Sequence, residues 1–280
     1  NPKFTPEMVA RFRQAFHLDR PITIQYAFFY RDLLTGNTVS WKDNQPVLDK
    51  IGERFFNSLP LFIIGTLITW TVSFPVGIRS AIFRGGIYDR SATFLSYVLI
   101  SIPGFFFAYL LIIFVVGRLQ VPVIGMQTFG MTDTPWLFRM NDRLWHMLLP
   151  SILGATGGIA VLSRYVRSQM LEVENQDYVR TARAKGLSEA VVLFRHVLRN
   201  AWLPVLTHVG ALLPYAFLGS IVFESFFGIP GLGTYVVEAI AGQDFAIVHT
   251  MVFLGSLLYI LAYLATDIAY TFVDPRVRLA

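Results

Sequence analysis

The feature that most constrains this chain is a set of charge-free stretches, each long enough to cross a bilayer. Residues 59–78, 91–117, 144–163, 201–223 and 247–266 contain no Asp, Glu, Lys or Arg. At 1.5 Å of rise per residue, about 20 such residues match the roughly 30 Å hydrocarbon layer. Five crossings are therefore expected, and the chain reads as an all-α integral membrane protein, a polytopic helical bundle. The composition agrees, because 54% apolar and 15% charged residues fall outside the range of soluble domains. Disordered, collagenous and disulfide-rich classes are excluded. With no cysteine, thiol catalysis and Cys-ligated metal are excluded too. A net charge of +5 is explained by cytoplasmic loops without invoking nucleic acid.

Pro60, Pro75, Pro103, Pro150, Pro204 and Pro214 lie in or beside these runs, which predicts kinks that neighbouring helices must compensate. Gly154, Ala155, Gly157, Gly158 and Ala160 allow close helix approach and place the third run inside the bundle. Orientation follows from Lys and Arg in short loops. Arg79, Arg84 and Arg90, then Arg164, Arg167, Arg180, Arg183, Lys185, Arg195 and Arg199, then Arg276 and Arg278 lie on one side, which is cytoplasmic by this rule. The opposite loops hold Arg118, Arg139 and Arg143, and no basic residue between Glu224 and Ala246. Residues 1–58 then lie outside, with the C-terminus cytoplasmic. That segment's own basic residues count against the assignment. It is expected to be a small helical unit: Thr5 and Pro6 start one helix with Val9, Phe12 and Phe16 on a face, and Pro21 starts a second with Tyr26, Phe29 and Leu33 together. The division expected is 1–58 external and 59–280 transmembrane.

Residues 164–200 form a polar connection far longer than a helix-to-helix link requires. Residues 176–185 read as a short helix ended by Gly186, with Ser188 capping a second helix toward Asn200. An isolated helix of about ten residues is marginal in water and needs a docking surface. Ala182 and Gly186 leave one side without bulk, ringed by Arg180, Arg183 and Lys185, as suits a helix seated in another protein's groove. An ordinary basic cytoplasmic loop fits the same periodicity equally well.

The segment Asp177-Tyr-Val-Arg-Thr-Ala-Arg-Ala-Lys-Gly186, followed by His196-Val-Leu-Arg-Asn-Ala-Trp-Leu-Pro204, resembles the coupling loop of ABC-importer permeases of the dipeptide/oligopeptide type. The likeness extends to Phe227-Gly-Ile-Pro-Gly-Leu-Gly233, Gln243-Asp-Phe245, Asp274-Pro-Arg-Val-Arg278, His17-Leu-Asp-Arg-Pro21 and Pro46-Val47. Where the wider superfamily has Glu-Ala-Ala, this chain has Arg180, Thr181 and Ala182, and the later Ile-x-Leu-Pro becomes His196, Val197, Leu198 and Arg199. These departures bear on a Glu-based contact, not on docking itself.

The resemblance implies the type I importer permease fold, with a sixth, N-terminal span expected ahead of the external segment. It implies a bacterial-type inner membrane location, a second homologous permease, two ATP-binding cassette ATPases that hold ATP and Mg²⁺, and an extracytoplasmic solute-binding protein. The cargo would be a peptide, or a nickel chelate, glutathione or another small solute. ATPase contact would fall on Asp177, Tyr178, Arg180, Thr181, Ala182, Arg183, Ala184, Lys185, Gly186 and Leu187. Glu224, Phe227, Pro230, Gly231, Gly233, Gln243 and Asp244 would form an external gate or binding-protein dock, although a plain external connector explains residues 224–246 as well. His208, Tyr215 and Phe223 are pathway candidates, and His249 and Asp267 are costly polar groups in an apolar run. Phe105, Phe106, Phe107 and Tyr109 suit lipid or packing.

No G-x-x-x-x-G-K-[ST] phosphate loop occurs, so the energy source lies in partners and the chain itself carries no cofactor. A secondary transporter would show internal repeats and paired midplane charges. An intramembrane hydrolase drawing on His146, His208, His249 and Glu224 has neither H-E-x-x-H nor G-x-S-x-G.

Overall fold

The computed structural model describes residues 16–202, 204–205 and 220–273, together with Glu7, Ala10, Arg13 and Gln14. The run 206–219, most of the fourth expected crossing with His208 and Tyr215, lies outside the described residues. So do Thr5, Pro6, Val9, Phe12 and the closing Asp274–Arg278 motif.

The described chain is helical. Helix α1 is Ile22–Leu34, α2 Val47–Ile82, α3 Ile87–Ser101, α4 Gly104–Ile112, α5 Trp136–Glu174, α6 Asp177–Ala184, α7 Glu189–Val191, α8 Ile221–Phe227, α9 Leu232–Ala241 and α10 Phe245–Val273. Helix α4 widens into a π-helical turn at Ile113–Arg118, and α7 into another at Val192–Leu198. Among the described residues, three helices are long and apolar enough to span a membrane: α2, α5 and α10.

Helices α2 and α5 form the spine. With 36 and 39 residues they run about 54 and 58 Å, well beyond a hydrocarbon layer of roughly 30 Å. They share the largest helix interface, and the reason is the absence of side chains at chosen points. A Cβ on Gly77 would stand 2.5 Å from the Ser163 carbonyl oxygen and 2.8 Å from Val166 Cβ. Thr69 also lies close on Gly158, where a Cβ would stand 3.0 Å from its methyl group. Ser151 Oγ donates to the Leu61 carbonyl at 3.3 Å, closing the seam where Pro60 and Pro150 interrupt each helix's own ladder. Ala155 and Ala160 are buried there as expected, whereas Gly157 faces open space and Gly154 faces the Phe223 ring.

Three expectations change. The second run is not one straight crossing, because α3 and α4 meet at an 89° bend. Pro103 donates no N–H and forces Ile102 to an extended φ −89°, ψ 120°, which ends α3. The polar connection expected from Arg164 is helix through Glu174, because Val166 and Met170 continue the buried stripe of α5 past Ser163. The boundary drawn at residue 58 falls inside α2, since Val47 and Ile51 are buried against Leu232, Tyr235, Ile247 and Met251.

Helix α1 begins after Pro21 and buries Leu33, while Tyr26 is largely exposed and bonds the Tyr30 hydroxyl at 2.9 Å. Phe29 meets His249 and Phe253 edge-on, so α1 rests on the start of α10.

Candidate coupling site and outer cap

Helix α6 has one buried side and one bare side. Val179 (0% exposed) and Ala182 (5%) sit in an apolar cluster with Ala81 of α2, Met170 of α5, Val192 and Val197 of the α7 segment, and Ala201. One core thus joins α6 to the C-terminal parts of α2 and α5. Asp177, Tyr178, Arg180, Thr181, Ala184, Lys185, Gly186 and Leu187 are exposed. Gly186 carries φ +77°, the left-handed conformation that ends a helix and disfavours a side chain. A Cβ there would point into open space.

Two residues assigned to the docking rim play another part. Ala182 faces the chain's own core, because its position follows Val179 on the apolar stripe. Arg183 is turned inward as a clamp: one terminal nitrogen (Nη2) donates to Glu174 at 2.8 Å and to Glu189 at 2.6 Å, and Nε donates to Glu189 at 3.1 Å. The clamp ties the end of α5, α6 and the start of α7 together. The Glu189 carboxylate beside it raises the Arg183 pKa, with Glu174 adding to the effect. Arg183 in turn lowers that of Glu189. Partial burial alone raises the Tyr178 hydroxyl. Ser188 stands at the start of α7 but makes no side-chain cap. Sequence spacing gave no sign of this clamp, since Glu174 and Glu189 lie on different helices separated by turns.

Beside it, Arg167 forms a two-pronged pair with buried Asp89, Nε to Oδ1 at 2.6 Å and Nη2 to Oδ2 at 2.8 Å, and Gly85 N–H donates to the same carboxylate. Arg79 lies over the Tyr88 ring at 4.9 Å. The turn after α2 is thereby fastened to α5. These basic residues were read only as orientation charge.

At the far ends of α2 and α5, the segment 220–246 folds back on α2 as α8 and α9. Glu224 is completely buried. Its Oε1 accepts from Ser58 Oγ at 2.7 Å and Ser220 N–H at 3.2 Å, and its Oε2 accepts from Thr234 N–H at 3.0 Å. Ser58 Oγ also accepts Leu232 N–H at 2.8 Å. Both N–H groups from α9 belong to its unpaired first turn, where the helix dipole favours a carboxyl group. A Cβ on Gly231 would lie 2.4 Å from Ser58 Oγ and 2.6 Å from Glu224 Oε1, and one on Gly233 2.7 Å from Ile221 N. The Gly-Leu-Gly motif exists here to admit that carboxyl group.

Asp244 is equally hidden at 2% exposure. It accepts from Ser40 Oγ at 2.5 Å and Trp41 N–H at 3.1 Å, and it reaches Ile247 N–H at the start of α10 at 3.5 Å. Phe227 is buried with Met147 and Leu153 of α5. Of the expected dock, Glu224, Phe227, Gly231, Gly233 and Asp244 are therefore interior, while Pro230 and Gln243 are exposed. The exposed face of α9 adds Val237 and Ile240, which sequence reading passed over, and Glu238. Of the three acids in residues 224–246, Glu238 alone faces water, 3.7 Å from Arg54.

A cavity of about 350 Å³ lies between α2 and α5, with Ser58, Thr66, Thr69, Ser151, Ser220 and Phe223 on its wall. Phe223 is thus the pathway candidate that the structure places on an open space. His249 packs on Phe29 and Phe245, His146 Nδ1 lies 2.8 Å from the Asp142 carbonyl, and Glu224 is held by Ser58 and Thr234. These three surroundings are separate, so among the described residues, which leave out His208, the hydrolase reading has no convergent site. Among the described residues no group of three or more His, Cys, Asp or Glu is placed to hold a metal. Asp267 is exposed on α10, as are Phe105, Phe106 and Tyr109 on α4, while Phe107 packs inward.

Comparison with known proteins agrees with this architecture. The chain is 36% identical over 280 residues to the oligopeptide transport system permease protein AppB of Bacillus subtilis, covering 99% of this chain and 87% of AppB. It is 35% identical over 292 residues to the dipeptide transport system permease protein DppB of Escherichia coli K12, covering 98% and 86%. A chain of the methionine ABC transporter MetNI, solved in inward-facing conformations, superposes with a TM-score of 0.61 at 16% identity, over 82% of this chain and 99% of that one, which shows a shared fold. Residues 73–279 match the family model described as binding-protein-dependent transport system inner membrane component. The chain belongs to this family of inner-membrane transport components and is a multi-pass membrane protein.

Proposed function

We propose that this chain is one of two permease subunits of an ATP-driven importer of dipeptides or oligopeptides, and that α6 carries the force of partner ATPases into the bundle. The observation that carries the reading is the two-sided burial of α6: Val179 and Ala182 are fused to the ends of α2, α5 and α7, while Asp177, Tyr178, Arg180, Lys185 and Leu187 stand free for a partner. A helix so built transmits a push, because its bare side is gripped and its buried side moves α2 and α5 as a unit. ATP and Mg²⁺ belong to the two ATPases, since this chain has no phosphate loop. Lys and Arg place α6 in the cytoplasm and α8 with α9 outside, where a solute-binding protein delivers cargo. Transport is then a two-state tilt biased by ligands bound elsewhere. Peptide is the cargo by likeness to the dipeptide and oligopeptide permeases.

The test is Gly186→Trp in the assembled transporter. Its side chain projects into open space, and the left-handed backbone costs about 1–2 kcal/mol. Peptide uptake and binding-protein-stimulated ATP hydrolysis should fall at least tenfold while the complex still purifies intact. Unchanged stimulation in an intact complex would refute the coupling role of α6.

A further inference from the structure

We propose that Phe223 is the stopper of the cleft between α2 and α5, and that buried Glu224 is the positioning residue that holds it closed until α9 moves. The inference rests on the transport reading above and names a gate within it. The cleft follows α2 from Ser58 to Trp70, about 18 Å at 1.5 Å per residue. Phe223 lines it opposite Gly154, and its own helix, α8, leads into the α8–α9 cap. The ring rests on two glycines: a Cβ on Gly104 of α4 would stand 3.5 Å from its tip, and one on Gly154 of α5 3.6 Å from its edge. With no side chain at either position, one ring packs against both α4 and α5.

The next residue in the chain explains why the ring stays there. Glu224 holds Ser220 N–H, and Ser220 Oγ accepts the Phe223 N–H at 3.5 Å, so the turn that aims Phe223 is set by the Glu224 carboxyl group. The same carboxyl group binds Thr234 of α9 and Ser58 of α2. A shift of α9, whose other face is exposed, removes one of these partners and frees the turn. Such a latch links an exposed docking face to a ring in the cleft through a single buried group. Burial makes the link all-or-none, because an unpaired buried polar group is costly.

The chain has no cysteine, so a single introduced thiol reports cleanly. Thr66→Cys places that thiol on the cleft wall. In vesicles bearing the assembled transporter, a membrane-impermeant charged methanethiosulfonate applied on the α8–α9 side should label it slowly. Labelling should accelerate at least tenfold when Phe223→Ala is added, and comparably with Glu224→Gln, which keeps the volume but loses an acceptor. Phe223→Leu, a smaller packing change, should give an intermediate rate, and co-purification of the partners verifies assembly for each variant. Equal rates with and without the Phe223 ring would overturn the stopper. Acceleration by Phe223→Ala but not by Glu224→Gln would overturn the latch. A thiol labelled from neither side in any nucleotide state would instead overturn the cleft as a transport route.

Discussion

The two ends of the α2–α5 spine are held by different physics. At the α6 end, that helix is seated by an apolar cluster and braced at its rim by Arg183 with Glu174 and Glu189, all partly open to water, while the buried Asp89–Arg167 pair fastens the neighbouring turn to α5. At the other end the anchors are Glu224 and Asp244, both hidden and bonded to N–H groups of neighbouring elements. Rim ion pairs are weak and replaceable, contributing about 0–1 kcal/mol each. Buried carboxyl groups make few bonds, and losing one strands several partners. On the transport reading proposed above, the α6 end bears load while exchanging surface contacts, and the opposite end stays shut until a specific bond is withdrawn.

That contrast breaks most sharply at Glu224. Glu224→Ala strands Ser220 N–H, Thr234 N–H and the Ser58 hydroxyl, and should cost about 4 kcal/mol in detergent denaturation. Asp244→Ala should follow at about 3 kcal/mol, with amide exchange rising first at residues 38–46, which Asp244 fastens to α10. On the cytoplasmic side, Val179→Ala should cost about 2 kcal/mol through lost packing alone, and should lower stimulated ATP hydrolysis more than it lowers complex yield.

The smallest effect belongs to Glu189→Gln, below about 1 kcal/mol in the same melts. Because Arg183 holds the Glu189 pKa below its ordinary 4.5, that contact is complete above this value and weakens as pH falls through the lowered one. Amide exchange in α6, corrected for its intrinsic pH dependence, should therefore rise below about pH 4.5 in the native chain and be flat in the Gln variant. Equal costs at Glu224 and Glu189 would erase the distinction between the two ends.

Much of the cytoplasmic site was legible from residue order. Gly186 announced the end of α6, and the Arg-rich stretch around it announced an exposed helix, because helix ends and charge are local properties. Ala182 was misplaced for the same reason. Spacing says that two small residues share a side, but not whether that side meets a partner or the chain's own α2 and α5. Arg167 with Asp89, and Arg183 with Glu174 and Glu189, were invisible as pairs, since their partners lie on other helices and only packing selects them.

The order of residues by itself determined that the chain is helical and membrane-embedded, which loops carry the positive charge, and that Pro103 bends the second run. Each follows from hydrophobic run length, charge count or a missing N–H, which act within a few residues. Only the tertiary structure decided that Glu224 and Asp244 lie inside rather than on an external loop. It also decided that Gly231 and Gly233 make room for a carboxyl group and that Phe223 stands over a cleft. Those facts depend on Ser58, Thr234, Ser40 and Gly154 arriving from distant parts of the chain, and no local rule of propensity or charge records which distant neighbour will arrive.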